Sequence, residues 1–199
     1  MCLCFNTTAF AASSNTGAEG DVNVEGAKDD AESSDVPWVA IEEKRKGEQL
    51  IAAAESEQQA FEEMVATYFS ESDIIMMAQL IDIEANSVYP LNRRAAVGWT
   101  VLNRLDNGRW GPTTIAGIFS QPGQYAWYSG RSYSQENYDI AKDVLTRWAT
   151  EQIEGVPNFG RVLPPNYDCF YGDGSQNHFY DVNGSYWDFS VPYDPYENW

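Results

Sequence analysis

Glu84 is the residue whose type and position best fit acid–base chemistry. Apolar residues precede it with the spacing of one buried helical stripe, at Ile74, Met77, Ala78 and Ile81. Glu84 continues this stripe, so we expect a mostly buried carboxyl group that is kept partly protonated by desolvation. A neutral carboxylic acid is the group that protonates the leaving oxygen of a glycosidic bond. The alternative is an ordinary glutamate at a helix end, turned to water.

The helix that carries Glu84 has a clear start signal. Ser70 and Asp73 are spaced so that each side chain can reach free backbone N–H groups of a first helical turn. We therefore predict a helix that begins after Ser70 and ends near Asn86.

A second carboxylate for glycoside cleavage is not evident. Asp82 lies two residues from Glu84, on another face of the predicted helix. Three more candidates lie in or beside the late strands, and folding could bring any of them close: Asp168, Asp173 and Asp181. A single acid is sufficient where a group of the sugar itself assists, as in lytic transglycosylases.

The 121–128 loop is dense in amides and aromatic rings. It contains Gln121, Gln124, Tyr125, Trp127 and Tyr128. Amides can hydrogen-bond to hydroxyl or acetamido groups, and aromatic rings can stack on pyranose faces. This composition predicts the lining of a sugar cleft, and the alternative is a loop pinned to the core by its rings.

Cys169 and His178 suggest a second chemistry, a thiol nucleophile with an imidazole base. A reactive cysteine usually lies at a helix N-terminus, whereas Cys169 falls within a predicted strand. We interpret Cys169 as structural and His178 as a hydrogen-bonding residue near the cleft or in the sheet. His178 is also the one histidine of the chain, which argues against a zinc hydrolase site. No metal or cofactor is predicted.

The order of the predicted elements is helices first and strands last, which indicates an α+β fold. Asn103 lies near the end of the helix predicted at about 92–105, and we expect its side chain to face the cleft. The neighbouring Arg93, Arg94 and Arg104 are expected to be surface charges or helix-end contacts. The predicted helices are about 40–69, 92–105, one or two turns in 113–119, and 134–150. The predicted strands are 167–172 and a hairpin of 178–182 with 185–189 around Asn183-Gly184.

Composition narrows the class of protein. Hydrophobic residues are 43 % of the 199, enough for a core, and no stretch predicts a transmembrane span. The net charge of −18 disfavours nucleic acid and anionic lipid surfaces as partners. We expect a monomer.

The N-terminal part predicts export. Residues 1–11 end in Ala9-Phe10-Ala11 and are interpreted as the remnant of a signal peptide, the alternative being a frayed terminus. Residues 12–36 are predicted to be an acidic disordered linker, 37–70 a helical extension and 71–199 a catalytic domain. Cys2 and Cys4 would leave with the signal, so Cys169 would have no internal disulfide partner.

Three stretches carry motifs that are specific in combination. They are Ile83-Glu84-Ala85-Asn86 and Thr100–Arg104 within 78–104, Gln121-Pro122-Gly123-Gln124 within 114–125, and Asn177-His178-Phe179-Tyr180. Together they resemble the SleB-type cell wall hydrolases, the spore cortex-lytic enzymes and their relatives, over about residues 72–181. The chain departs from the family pattern after Ala85, where Asn86-Ser87-Val88 replaces the usual Arg-Gly-Glu.

The resemblance implies a lysozyme-like α+β fold and a secreted or cell-wall-associated enzyme that cleaves peptidoglycan between N-acetylmuramic acid and N-acetylglucosamine. It implies a lytic transglycosylase reaction with a 1,6-anhydro product and Glu84 as general acid and then base. The alternatives are a hydrolytic muramidase, a non-catalytic wall-binding module, and an amidase or peptidase. The candidate substrate-binding residues are Asn103, Gln121, Gln124, Tyr125, Trp127, Asn177, His178 and Tyr180.

Overall fold

The computed structural model describes residues 38–86, 88–190 and 194–199. Within these residues, five helices precede two strands: α1 (Trp38–Val65), α2 (Glu71–Ala85), α3 (Leu91–Asn107), α4 (Ile115–Phe119), α5 (Gln135–Glu154), β1 (Tyr167–Gly172) and β2 (Asn177–Asp181). This order confirms the predicted α+β class. The predicted signal-peptide remnant and linker lie outside the described residues.

The described residues fall into two units, which divide between Lys46 and Gly47. In the second unit, the predicted apolar stripe of α1 is exposed at Leu50 and Ile51, and burial begins with Val65 in the last turn of the helix. In the part of the chain that the structure describes, no helix is both long and apolar enough to cross a membrane.

Helix α2 is the centre of the core and packs against α3 and α5. Its predicted stripe of Ile74, Met77, Ala78 and Ile81 is fully or almost fully buried. Gly98 of α3 permits this close packing, because a Cβ atom there would lie 3.1 Å from the Met77 sulfur. The start of α2 is a capping box, in which the Ser70 hydroxyl accepts the Asp73 N–H and the Asp73 carboxylate accepts the Ser70 N–H.

Replacing Ser70 with alanine is expected to lower the free energy of unfolding by about 1 kcal/mol, because one N–H of the first turn of α2 loses its acceptor. Urea unfolding of the whole chain measures this change. Ser72→Ala is the matched control, since the Ser72 hydroxyl contacts only the Ser70 hydroxyl and caps no backbone group. Equal losses in the two variants would contradict the capping role.

Helices α3 and α5 begin and end close to their predicted bounds. Gly108 and Gly155 form their C-caps in the left-handed region, both with φ of 64°. The expectation that Arg94 and Arg104 are surface charges is wrong, because both are almost fully buried. Arg94 donates to the Val88 carbonyl and pairs with Glu136 of α5, so it ties the turn before α3 to α5.

The sheet is smaller than predicted. Strand β1 has its predicted bounds and pairs antiparallel with β2, with Tyr171 opposite His178 and Phe170 opposite Phe179. The predicted strand 185–189 is wrong and is reduced to one bridge between Tyr180 and Tyr186. The reason is the Asp181 side chain, whose Oδ1 accepts the N–H groups of Asn183 and Ser185 at 2.9 and 2.8 Å and closes a side-chain-capped turn.

Candidate functional site

Glu84 lies at the C-terminal end of α2 and is half-buried, which is less burial than its position on the stripe predicted. Its Oε1 atom accepts a hydrogen bond from the Ala126 N–H at 2.9 Å. Its Oε2 atom has no hydrogen-bond partner among the described residues. The carboxyl group is thus held through one oxygen, in a half-buried position at the end of α2.

The 121–128 loop is positioned by a second residue of α2, Gln79. The Gln79 side chain is buried, accepts the Trp127 indole N–H at 3.1 Å and donates to the Arg131 carbonyl at 2.7 Å. Helix α2 therefore holds the loop and its continuation at three points, counting Glu84. Gln79 is not among the residues predicted from the sequence, although a polar residue within an otherwise apolar helical run signals that a partner is needed.

Tyr125 of the 121–128 loop carries a phenol group that is influenced electrostatically by the Glu84 carboxylate. Its hydroxyl lies 3.3 Å from the Thr100 hydroxyl, and the Arg104 guanidinium lies 4.6 Å from the ring centre. Burial of the hydroxyl raises the pKa of Tyr125 to about 12; the Arg104 charge opposes this shift and the Glu84 charge adds to it. Tyr125 is therefore a neutral hydrogen-bond donor within electrostatic reach of Glu84.

Strand β2 divides the residues that were predicted to line the cleft. Asn177 is buried and its Nδ2 donates to the Glu84 main-chain carbonyl at 2.9 Å, so it fixes the end of α2. Because side chains alternate along a strand, His178 and Tyr180 lie on the opposite face of β2 from Asn177. His178 hydrogen-bonds to Asp173 at 2.7 Å.

Three amides of the predicted set hold the scaffold. Asn103 is fully buried and donates to the Pro164 and Tyr167 carbonyls at 2.8 and 2.6 Å, so its side chain anchors the segment before β1. Gln121 donates to the Trp110 carbonyl at 2.6 Å. Gln124 accepts from Arg104 at 3.2 Å.

The carboxyl groups of the three late candidates are engaged away from Glu84. Asp168 is fully buried and accepts from Asn107, Arg109 and the Trp110 indole. Hydrogen bonds from His178 and Ser175 hold the pKa of Asp173 well below its usual range. A hydrogen bond from the Ser185 N–H lowers the pKa of Asp181. Carboxylates with lowered pKa values are weak bases, so Asp173 and Asp181 are poor groups for activating water.

Cys169 lacks the environment of a nucleophile. Its thiol is half-buried and lies 3.6 Å from the Asp168 carboxylate. Burial, followed by the Asp168 charge, raises the pKa of Cys169. Its cross-strand partner is Tyr180, while His178 pairs with Tyr171, so no thiol–imidazole contact forms.

Replacing Cys169 with alanine is expected to leave any enzymatic turnover of the chain within about twofold of the original, because the thiol has no imidazole partner and none of the surroundings of a nucleophile. Because the thiol pKa is raised, alkylation at neutral pH should be slower than for a free cysteine and should accelerate only above the ordinary thiol pKa. A turbidity assay measures the first and a thiol-reactive dye the second, on a Cys2→Ser, Cys4→Ser protein. Loss of turnover in Cys169→Ala with unchanged folding would revive the thiol peptidase.

No cluster of three or more His, Cys, Asp or Glu able to hold a metal ion occurs within 38–86, 88–190 and 194–199.

Residues 90–166 match the family model Hydrolase_2, described as Cell Wall Hydrolase. The match spans α3, α4, the 121–128 loop and α5, begins six residues after Glu84 and ends before β1. Comparisons with curated proteins and with solved structures found no significant match.

Proposed function

Because residues 90–166 carry the domain of the SleB-type cell wall hydrolases, enzymes that act on peptidoglycan, we propose that this protein cleaves the glycan strands of peptidoglycan with Glu84 as its acid–base. The bond is the one between N-acetylmuramic acid and N-acetylglucosamine, and the reaction is that of a lytic transglycosylase. A cell wall substrate places the site of action outside the membrane, in accord with the export predicted from residues 1–11.

One observation carries this proposal. The Glu84 carboxyl group hydrogen-bonds through Oε1 to the backbone of the loop that the family model covers, while Asn177 and Gln79 fix the helix end and the loop around it. The residue with the best chemistry is thus attached to the segment with the family match. The same loop carries Tyr125 and Trp127, whose rings pack on Phe119.

The reaction needs two proton transfers at Glu84, one from its carboxyl group and one to its carboxylate. In the first step, Glu84 in its acid form gives a proton from Oε2 to the glycosidic oxygen, and the bond to the muramic anomeric carbon breaks. In the second step, the Glu84 carboxylate takes the proton of the muramic 6-hydroxyl while that oxygen closes on the anomeric carbon. The product is the 1,6-anhydro sugar, and Glu84 regains its proton.

The hydrogen bonds that the three late aspartates make elsewhere support the intramolecular route. A muramidase needs a group that activates water or stabilises the cation, and Asp168, Asp173 and Asp181 are each engaged elsewhere. The 6-hydroxyl needs only Glu84. The alternative is a hydrolytic muramidase, in which Glu84 is still the acid but water attacks the anomeric carbon.

The class of reaction is tested by the ends that appear when the whole chain digests purified peptidoglycan. Soluble glycan fragments without new amino groups are the expected result. New amino groups would point to an amidase or peptidase and contradict the proposal. Retention on peptidoglycan without release of fragments would instead indicate a wall-binding module.

A further inference from the structure

The outer face of the small sheet is formed by four rings that the Glu84 site does not use. Tyr171 stacks on His178 with centroids 5.0 Å apart, and Tyr180 lies 6.3 Å from Tyr171. Tyr186, joined by the single bridge after the Asp181 turn, lies 5.9 Å from Tyr180 and 6.3 Å from Tyr171. We call these four residues the aromatic face.

The aromatic face is partly exposed to solvent and is not covered by the core. Tyr171 is 46 % exposed and Tyr186 is 60 % exposed. All four side chains combine a flat ring face with a polar edge. Such rings can stack on a ligand and hydrogen-bond to its rim at the same time.

A groove of about 450 Å³ borders the aromatic face at Tyr180. Its lining includes Tyr180 of the aromatic face together with Val182, Arg109 and Trp110. The Trp110 ring lies 4.2 Å from the Arg104 guanidinium, which also stacks on Tyr125. The rings of the aromatic face, the groove and the Glu84 loop are thus linked by a chain of direct contacts.

We propose that the aromatic face and this groove form a second binding surface for the glycan strand, which holds the polymer while another part of it is cut at Glu84. The substrate class rests on the proposed function. Alternating pyranose rings present flat C–H faces and hydroxyl rims, which match rings with polar edges. On this face, Asp173 is already engaged by His178.

Binding is measured with the whole chain carrying Glu84→Gln, by co-sedimentation with insoluble peptidoglycan and with the same glycan stripped of its stem peptides. Adding Tyr171→Ala and Tyr186→Ala together is expected to weaken binding to both materials roughly tenfold, because two stacking rings are lost. Tyr68→Ala in the same background is the matched control, an exposed tyrosine between α1 and α2 that packs on Trp148. It should bind as the Glu84→Gln protein does.

A second readout separates this surface from the catalytic site. In the chain with Glu84 intact, the tyrosine pair variant should lose most of its rate on polymeric peptidoglycan and keep its rate on a short fragment of two disaccharide units. Unchanged binding in the pair variant, or no binding of the Glu84→Gln protein to either material, overturns the proposal. Binding that requires the stem peptides also overturns it. Tyrosine-dependent binding without any cleavage by the unaltered chain would leave this surface standing and the proposed function refuted.

Discussion

Replacing Glu84 with glutamine is expected to lower the rate of peptidoglycan degradation on the order of 100- to 10,000-fold, the usual contribution of a general acid–base. Glutamine has nearly the same shape, and its amide oxygen can still accept the Ala126 N–H. It cannot supply a proton from the open end of the side chain or take one back. The loss should therefore appear in turnover, measured as clearing of a peptidoglycan suspension, while binding to the suspension remains.

Asp82→Asn is the matched control for this variant. Asp82 lies on the same helix and accepts hydrogen bonds from the Ser134 N–H and the Asn137 amide, bonds that an asparagine oxygen can also accept. Turnover in Asp82→Asn should stay within a few-fold of the original chain. Full activity in Glu84→Gln, or an equal loss in both variants, would remove Glu84 from the chemistry. Thermal unfolding of each protein excludes a loss through misfolding.

Replacing Arg104 with alanine is expected to lower the free energy of unfolding by about 3–5 kcal/mol, which is a large part of the stability of a domain of this size. The guanidinium is almost fully buried between the Trp110 and Tyr125 rings and donates to the Asp168 carbonyl at 2.7 Å. Its removal leaves a cavity between two rings and a buried acceptor without a donor. Gln124 also loses its partner, so the 121–128 loop should loosen and activity should fall with stability.

Two further substitutions give this prediction its controls, and urea unfolding measures all three. Arg104→Lys keeps a cation but cannot reproduce the planar guanidinium between two rings, so its loss should be intermediate. Arg93→Ala removes a more exposed arginine whose guanidinium lies over the single Phe189 ring, and it should cost less than about 1 kcal/mol. Equal effects at positions 93 and 104 would show that burial between the rings does not matter.

Local signals in the sequence were enough to predict most helices and the first strand. Ser70 and Asp73 mark the start of α2 within the chain, and Gly108 and Gly155 mark helix ends, because each acts on its own neighbours. Strand β1 was predicted at its observed bounds for the same reason. A hairpin signal at Asn183-Gly184 was also local, but it did not predict how Asp181 would divert the backbone N–H groups.

The candidate site was predictable in its chemistry and less so in its assembly. Glu84 and the 121–128 loop could be selected from residue types, and the structure joins them through Ala126. The environments of Asn103 and Arg104 depend on the segment before β1 and on β1 itself, about 60 positions later in the chain. No local pattern shows that so distant a segment will bury both of these polar neighbours. Side-chain alternation separates Asn177 from His178, but which of them faces the end of α2 depends on how β2 packs.

Mass spectrometry of the sugar ends tests the central claim most directly. Purified peptidoglycan is digested with the whole chain and, beside it, with the Glu84→Gln protein at equal concentration. We predict 1,6-anhydro-muramic ends from the first digest and none above background from the second. Reducing muramic ends in the first digest would contradict the transglycosylase reaction, and anhydro ends at equal yield in both digests would contradict the role of Glu84.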